Sequence, residues 1–342
     1  MFKNFSAPLL GISGRQSELI ELALTYGFRG IDVDMTDMVK RSQRTDFEDA
    51  SKYLRAADIL VGGFSADVQL DADDAVFNAQ LAALHSLAET ASKLKGVRAF
   101  TLLPAATDRM PIHEYFEFLR GRLEQMGKVL SGHQIQLGCS INAASDSADG
   151  KQFPAVRNIE TLVALIKTVA TKNVGLVIDS WHWHVGGGTS EHLQQLDPSR
   201  VVVVRLADLS ADAKPAEAKI SDRVVPTLGG RIDQASLIKW LAEHSFEGPV
   251  VPCSSTAKAK GQTRESIVNK AQEGIDAIFR AAGLTVAPRP MDLVQSMADE
   301  YLGRDEDEER PIRRARVADD ELEDEEEIEG AADDLPIHGR GR

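Results

Sequence analysis

The sequence predicts an α/β chain folded as a parallel (β/α)8 barrel, a TIM barrel, with a disordered acidic C-terminal tail. Three observations point there. Eight short, nearly continuous apolar runs alternate with longer helical patterns over residues 1–286. Strands of that kind need a sheet covered on both faces, which a barrel wrapped in helices supplies. An open doubly wound sheet would also do this, but no G-x-G-x-x-G follows any of the runs, which weighs against a dinucleotide-binding version.

In chain order, PLLGIS (8–13) is the first strand candidate, and QSELIELALTYG sets Leu19, Leu22, Ala23 and Tyr26 at helical spacing up to Gly27. GIDVDM (30–35) is the second strand, with DFEDASKYLRAAD as its helix. ILVGGFSADV (59–68) and VRAFTLLPA (97–105) are the third and fourth, each followed by a long helical pattern. IQLGCSIN (135–142) leads to NIETLVALIKTVATKN, and VGLVIDSWHW (174–183) to the weaker helix EHLQQLD. VVVVRLADLS (201–210) is the seventh strand, followed by a loop and QASLIKWLAEHSFEG. PVVPCSS (249–255) is the eighth, closed by ESIVNKAQEGIDAIFRAAG.

Residues 1–286 therefore read as the barrel and 287–342 as the tail. APRPMDLVQSMADEYLG carries Met291, Val294, Met297 and Tyr301 on one helical stripe. Beyond it the chain is dense in like charge and too poor in apolar residues to offset its ordering entropy. Residues 287–342 hold 19 Asp and Glu against 8 Arg, so −11 of the net charge of −14 sits there and the barrel is close to neutral. With no basic patch in the barrel, nucleic acid is not an expected partner. The tail's own partner is not legible.

At 43% hydrophobic, the 342 residues suffice for one large core or two modest ones. Cys139 and Cys253 lie far apart without metal-ribbon spacing, which argues for a reducing, cytoplasmic setting and no disulfide framework. No secretory leader and no run of ~18 apolar residues is present, so no membrane partner is expected.

A barrel of this kind gathers its site at the C-terminal ends of the strands. The polar residues that end the runs are Ser13, Asp32, Asp34, Ser65, Thr101, Ser140, Asn142, Asp179, His182, His184, Arg205, Asp208, Cys253 and Ser254. Asp179 and His182 stand out. A carboxylate closing a buried strand, with an imidazole three residues on, suits either an oxygen-bound divalent cation or proton transfer by a charge-stabilised base.

VGLVIDSWHWHVGGG resembles the sixth-strand D-x-x-H motif of the xylose isomerase-like barrels, the sugar phosphate isomerase/epimerase family. VVVVRLADLS is similar to that family's V-H-L-x-D strand, and SDRVVPTLGGRIDQASLIKWLAEHSFEGPV to its R-x-x-P-G-x-G-x-I-D segment. LALTYGFRGIDV resembles its A-x-x-x-G-F-x-G-I-E opening. The resemblance implies one Mn, Mg, Co or Zn ion held by a Glu, an Asp, a His and a second Glu from strands five to eight, with the two Glu shuttling a proton beside a carbonyl.

Carried onto this chain, Asp179 takes the metal position and His182 the substrate-facing one, with Arg223 at a substrate-contacting Arg. Ser140, Arg205 and Cys253 replace the other three ligands, and Asp208 is retained. A hydroxyl is a poor ligand, and Arg205 is always cationic and repels a divalent ion. Its guanidinium is suited instead to pairing with Asp179, to polarising a carbonyl or to gripping an anion. The expectation is an isomerase- or epimerase-like protein for a small carbohydrate or sugar phosphate, with a modified or metal-free site. Asp179 and His182 are its catalytic candidates, and Arg205, Arg223, Trp183 and Asp208 its substrate contacts. The alternative is a barrel that binds a carbohydrate without turning it over.

Overall fold

Runs of β-branched residues build the barrel wall. Every residue of Val174–Asp179 is buried, and in Val201–Leu206 only Arg205 retains appreciable exposure. The computed structural model describes residues 1–293. Eight strands close in chain order: β1 (Phe2–Phe5), β2 (Gly30–Asp32), β3 (Leu60–Ser65), β4 (Arg98–Leu102), β5 (Gln136–Ser140), β6 (Val174–Asp179), β7 (Val201–Leu206) and β8 (Pro249–Pro252). All neighbours are parallel, and β1 pairs with both β2 and β8 to complete the ring.

Several of the helices outside the ring start on side-chain caps. Asp34 accepts from the Asp37 N–H for Met35–Arg44, Asn158 from Thr161 for Ile159–Thr168, and Thr263 from Ser266 for Arg264–Ala281. Their buried stripes, such as Phe77, Leu84, Leu87, Ala88 and Ala91 of Asp74–Lys93, cover the wall.

The first strand is not PLLGIS. Pro8–Leu10 forms a 3-10 turn, since Pro8 has no N–H to give a central ladder. FKNF takes the place instead, and its Lys and Asn hide it from a search for apolar runs. Asn4 is fully buried inside the ring, and its Nδ2 donates to Asp32 Oδ1 at 2.7 Å. Two further expectations shift. Met35–Arg44 is a helix ahead of the expected Phe47–Ala56 one, and SWHW is not strand but the start of helix Ser180–Val185. The patterned stripe from Met291 to Tyr301 and the acidic segment beyond it lie largely outside the described residues.

Two short antiparallel ladders sit beyond the strand ends. Ala106–Thr107 pairs with Phe153–Pro154, and Asp208–Leu209 pairs with Arg223–Val224. The second ladder carries Arg223 back to the barrel mouth.

Glycines let the interior close. A Cβ on Gly63 would lie 2.0 Å from the Phe100 ring, and one on Gly175 would lie 2.0 Å from the Arg200 carbonyl oxygen. The second obstacle is backbone and cannot swing aside. Gly175→Ala is expected to cost about 1–3 kcal/mol. A urea-unfolding midpoint equal to that of the wild type would contradict this.

Candidate active site

Asp179 ends β6 and is only 4% exposed. Its Oδ1 accepts from the backbone N–H groups of Trp181 (3.1 Å) and His182 (3.2 Å), so the same carboxylate that ends the strand caps the short helix after it. Its Oδ2 accepts from Arg223 Nη2, and both side chains of this pair are buried. Burial alone would raise the Asp179 carboxyl; the charges of Arg223, His182 and Arg205 outweigh it and hold the group below the ordinary carboxylate range. Arg223 loses by burial and gains more from Asp179, so its guanidinium is held above its ordinary value.

Arg205 lies opposite Asp179 in the β6–β7 register. Its guanidinium carbon stands 5.3 Å from the centroid of the Phe100 ring, and its buried Nε has no hydrogen-bond partner among the described residues. Among the described residues it forms no ion pair within 4.0 Å. Asp32 ends β2; burial pushes its carboxyl up, against the opposing pull of Ser6, Arg205 and Asn4.

His182 is buried at 9% exposure, and its Nδ1 accepts from the Ala143 N–H at 3.2 Å. That bond leaves the proton on Nε2. Burial drives its pKa down to about 4; Asp179 opposes, and Arg223 and Arg205 push with burial. The ring is therefore a neutral donor at neutral pH.

These groups share a cavity of about 740 Å³ at the C-terminal end of the barrel. Asp32, Ser140, Asn142, His182, Arg205 and Arg223 all contribute to its wall, together with Ser13, Ser65 and Thr101. Asp179 does not; it lies behind Arg223. Trp183 and Asp208 are also off this wall. Trp183 packs on the backbone at Gly188, and Asp208 accepts from the N–H groups of Leu209, Arg231 and Ile232, which ties down the following turn. Ser140 Oγ donates to the Thr101 carbonyl at 3.0 Å. Cys253 is fully buried, its thiol pushed up to about 12, and Sγ donates to the Val251 carbonyl. His184 is half-buried on the helix after β6, and Ser254 donates to the Ser255 carbonyl.

The family model of the xylose isomerase-like TIM barrel matches residues 20–282. The chain belongs to that family. Among its xylose isomerase-like relatives, an inosose isomerase of Bacillus velezensis is 24% identical over 264 residues, spanning 73% of this chain and 91% of that protein. A xylose isomerase domain protein of Alicyclobacillus acidocaldarius superposes with a TM-score of 0.74 at 21% identity, covering 83% of this chain and 99% of the other. The IOLI protein, solved with a bound zinc atom, superposes at 0.67 with 20% identity over 81% and 98% of the two chains.

A divalent cation does not fit the donors that this xylose isomerase-like chain presents. Both Asp179 oxygens are engaged, the Cys253 thiol is protonated, His182 Nδ1 is occupied, and the nearest charges are two guanidiniums. Among the described residues no three His, Cys, Asp or Glu side chains come together as a ligand set. The positive charge here is built from arginine.

Two outcomes follow. Arg223→Met leaves a buried carboxylate uncompensated and is expected to cost about 3–5 kcal/mol, part of it recovered in the double variant with Asp179→Asn; equal unfolding midpoints for wild type and single variant would refute the pairing. For His182 the native pKa of about 4 lies below the ordinary 6.5, so between these values the unfolded chain binds the proton and the native chain does not. Stability then falls as pH drops through that window and is unaffected by this group above it. Nitrogen-15 NMR should show a neutral, Nε2-protonated ring at pH 5.5, and His182→Gln should flatten the urea midpoint between pH 6.5 and 4.5.

Proposed function

We propose that this barrel binds a small polyhydroxylated carbonyl compound bearing a carboxylate or phosphate, and acts on it as an isomerase or epimerase without a divalent cation. The observation that carries this reading is Arg205, a cation on the cavity wall with no ion-pair partner among the described residues and an unpartnered Nε. A guanidinium on a cavity wall with no carboxylate paired to it is a strong receptor for an anion or a developing oxyanion.

The other groups have complementary roles. Asp32, whose carboxyl is raised by burial, takes the proton from the carbon beside the carbonyl to leave an enediolate and delivers it to the former carbonyl carbon, while the proton of the neighbouring hydroxyl passes to the former carbonyl oxygen. A raised pKa makes its ionised form the stronger base. The neutral His182 Nε2–H donates to the carbonyl oxygen, and Arg205 stabilises the negative charge that grows there. Arg223 and Asp179 hold this end of the barrel in shape: the carboxylate orients the guanidinium and the chain turn that presents His182. Asp208 anchors the loop that carries Arg223.

A second reading, a carbohydrate-binding barrel without turnover, is favoured by one observation: the Asp179 carboxylate of the D-x-x-H motif is spent on internal partners.

The test combines binding and exchange in the presence of EDTA. Calorimetry with glucose 6-phosphate, gluconate and inosose measures affinity, and NMR in D2O measures deuterium entering the carbon beside the carbonyl. Arg205→Gln is expected to weaken the anionic compounds by about tenfold or more. Exchange that survives EDTA and disappears in Asp32→Asn supports the enzyme. Binding without exchange supports the second reading. A need for added Mn or Zn overturns both.

A further inference from the structure

A second cavity, also about 740 Å³, adjoins the first. The two share Ser65, Asp67, Phe100, Thr101, Leu102 and Asn142 as a common wall. Each lies in the ~300–1,000 Å³ range of pockets that hold a whole small ligand, so the pair offers more room than one monosaccharide fills.

The lining of the second cavity has the character of a sugar-ring site. Leu102 ends β4 and is 59% exposed, the highest value among the exposed large hydrophobic side chains of the described residues. A leucine so placed presents an apolar face to whatever occupies the cavity. Ser147 also lines this cavity, and its shielded Oγ meets no hydrogen-bond partner among the described residues, so a turn of the side chain would bring an unused donor and acceptor to a ligand hydroxyl. Asp67 Oδ2 accepts from Thr36 Oγ1 at 2.6 Å, which fixes a carboxylate on the shared wall.

The backbone singles out the same place. Five non-glycine residues have positive φ: Asp58, Asp67, Lys95, Gln134 and Ser245. Four of them sit in turns that lead from a helix into a strand, at the end of the barrel away from the cavities. Asp67 alone follows a strand, with φ +50° on the cavity side. Left-handed backbone at a non-glycine costs free energy and concentrates where a side chain must be aimed.

We infer that the second cavity is a subsite for a second ring, so that the ligand of this barrel is a substituted or disaccharide-sized carbohydrate, its anionic or carbonyl-bearing unit against Arg205 and its other ring against Leu102, Asp67 and Ser147. The inference rests on the reading of the first cavity given above and names its substrate class more closely. The C–H face of a sugar ring packs on Leu102, while its hydroxyls donate to the Asp67 carboxylate and bond with Ser147 Oγ.

Two matched pairs of probes test it by calorimetry on the full chain: glucose 6-phosphate against trehalose 6-phosphate, and gluconate against lactobionate. In each pair the larger member adds one ring, and the pairs separate phosphate from carboxylate as the preferred anion. At least one larger member is expected to bind about tenfold or more tightly than its partner. Ser147→Trp fills the second cavity away from the shared wall; it should erase that advantage while changing the smaller member by less than about twofold. Ser147→Ala, which carries no risk of overpacking, should lose part of the advantage. Larger members that bind no better than the smaller ones, or an advantage that survives Ser147→Trp in a chain with native circular dichroism, overturn the second subsite alone. Binding of none of the four overturns the reading of the first cavity, and this inference with it.

Discussion

The mouth of this barrel depends on one buried ion pair, Asp179 with Arg223. A carboxylate so deep in the protein stays charged only if its desolvation is offset by hydrogen bonds and by an opposite charge at contact distance. Two backbone N–H groups and one guanidinium supply both. From that arrangement the rest follows. The carboxylate ends β6, turns the chain into a helix, and so sets His182 facing the Ala143 N–H. The guanidinium needs a carrier, and the ladder between Asp208–Leu209 and Arg223–Val224 provides it. The positive charge of the cavity wall then comes largely from Arg205, which forms no ion pair within 4.0 Å among the described residues.

Charge balance also explains why the chemistry of the site departs from a cation-binding one. Where the resemblance implies two Glu and a His, this chain has Ser140, Cys253 and Arg205, and a guanidinium in that place adds positive charge to the cavity instead of a metal ligand. Burial, helped by the two guanidiniums, keeps the His182 imidazole neutral, and burial pushes the Asp32 carboxyl upward against the pull of Arg205. Groups of that kind suit proton transfer and anion binding, since each sits closer to neutrality than its ordinary value would place it.

Much of this was legible in the sequence, for physical reasons that differ from element to element. Strands β2 to β8 announce themselves because a doubly covered sheet requires continuous apolar residues. β1 does not, because its inward-facing Asn4 fills the ring by hydrogen bonding to Asp32 rather than by apolar bulk. The D-x-x-H spacing drew attention to Asp179 and His182, and they do lie together. Their roles needed coordinates: that Arg223 engages Asp179 across 44 residues of chain is invisible to local pattern. Asp208 reads as a retained site residue, yet its acceptors serve the turn at Arg231 and Ile232. Asp32 was visible only as a polar strand end, and the GFRGID match was the one signal for it.

The loop that brings Arg223 to the barrel is not part of the eight-stranded ring. The internal counter-ion of Asp179 is therefore carried by a loop, held by a two-residue ladder, by the Asp208 carboxylate and by the Ser255 N–H on the Arg223 carbonyl. Were that loop to peel away, the carboxylate would be left in need of a replacement cation, and a proton or an ion from solution would compete to supply it. Exchanging the arginine for such an ion would require change in that loop and also at Ser140, Arg205 and Cys253 on the barrel wall.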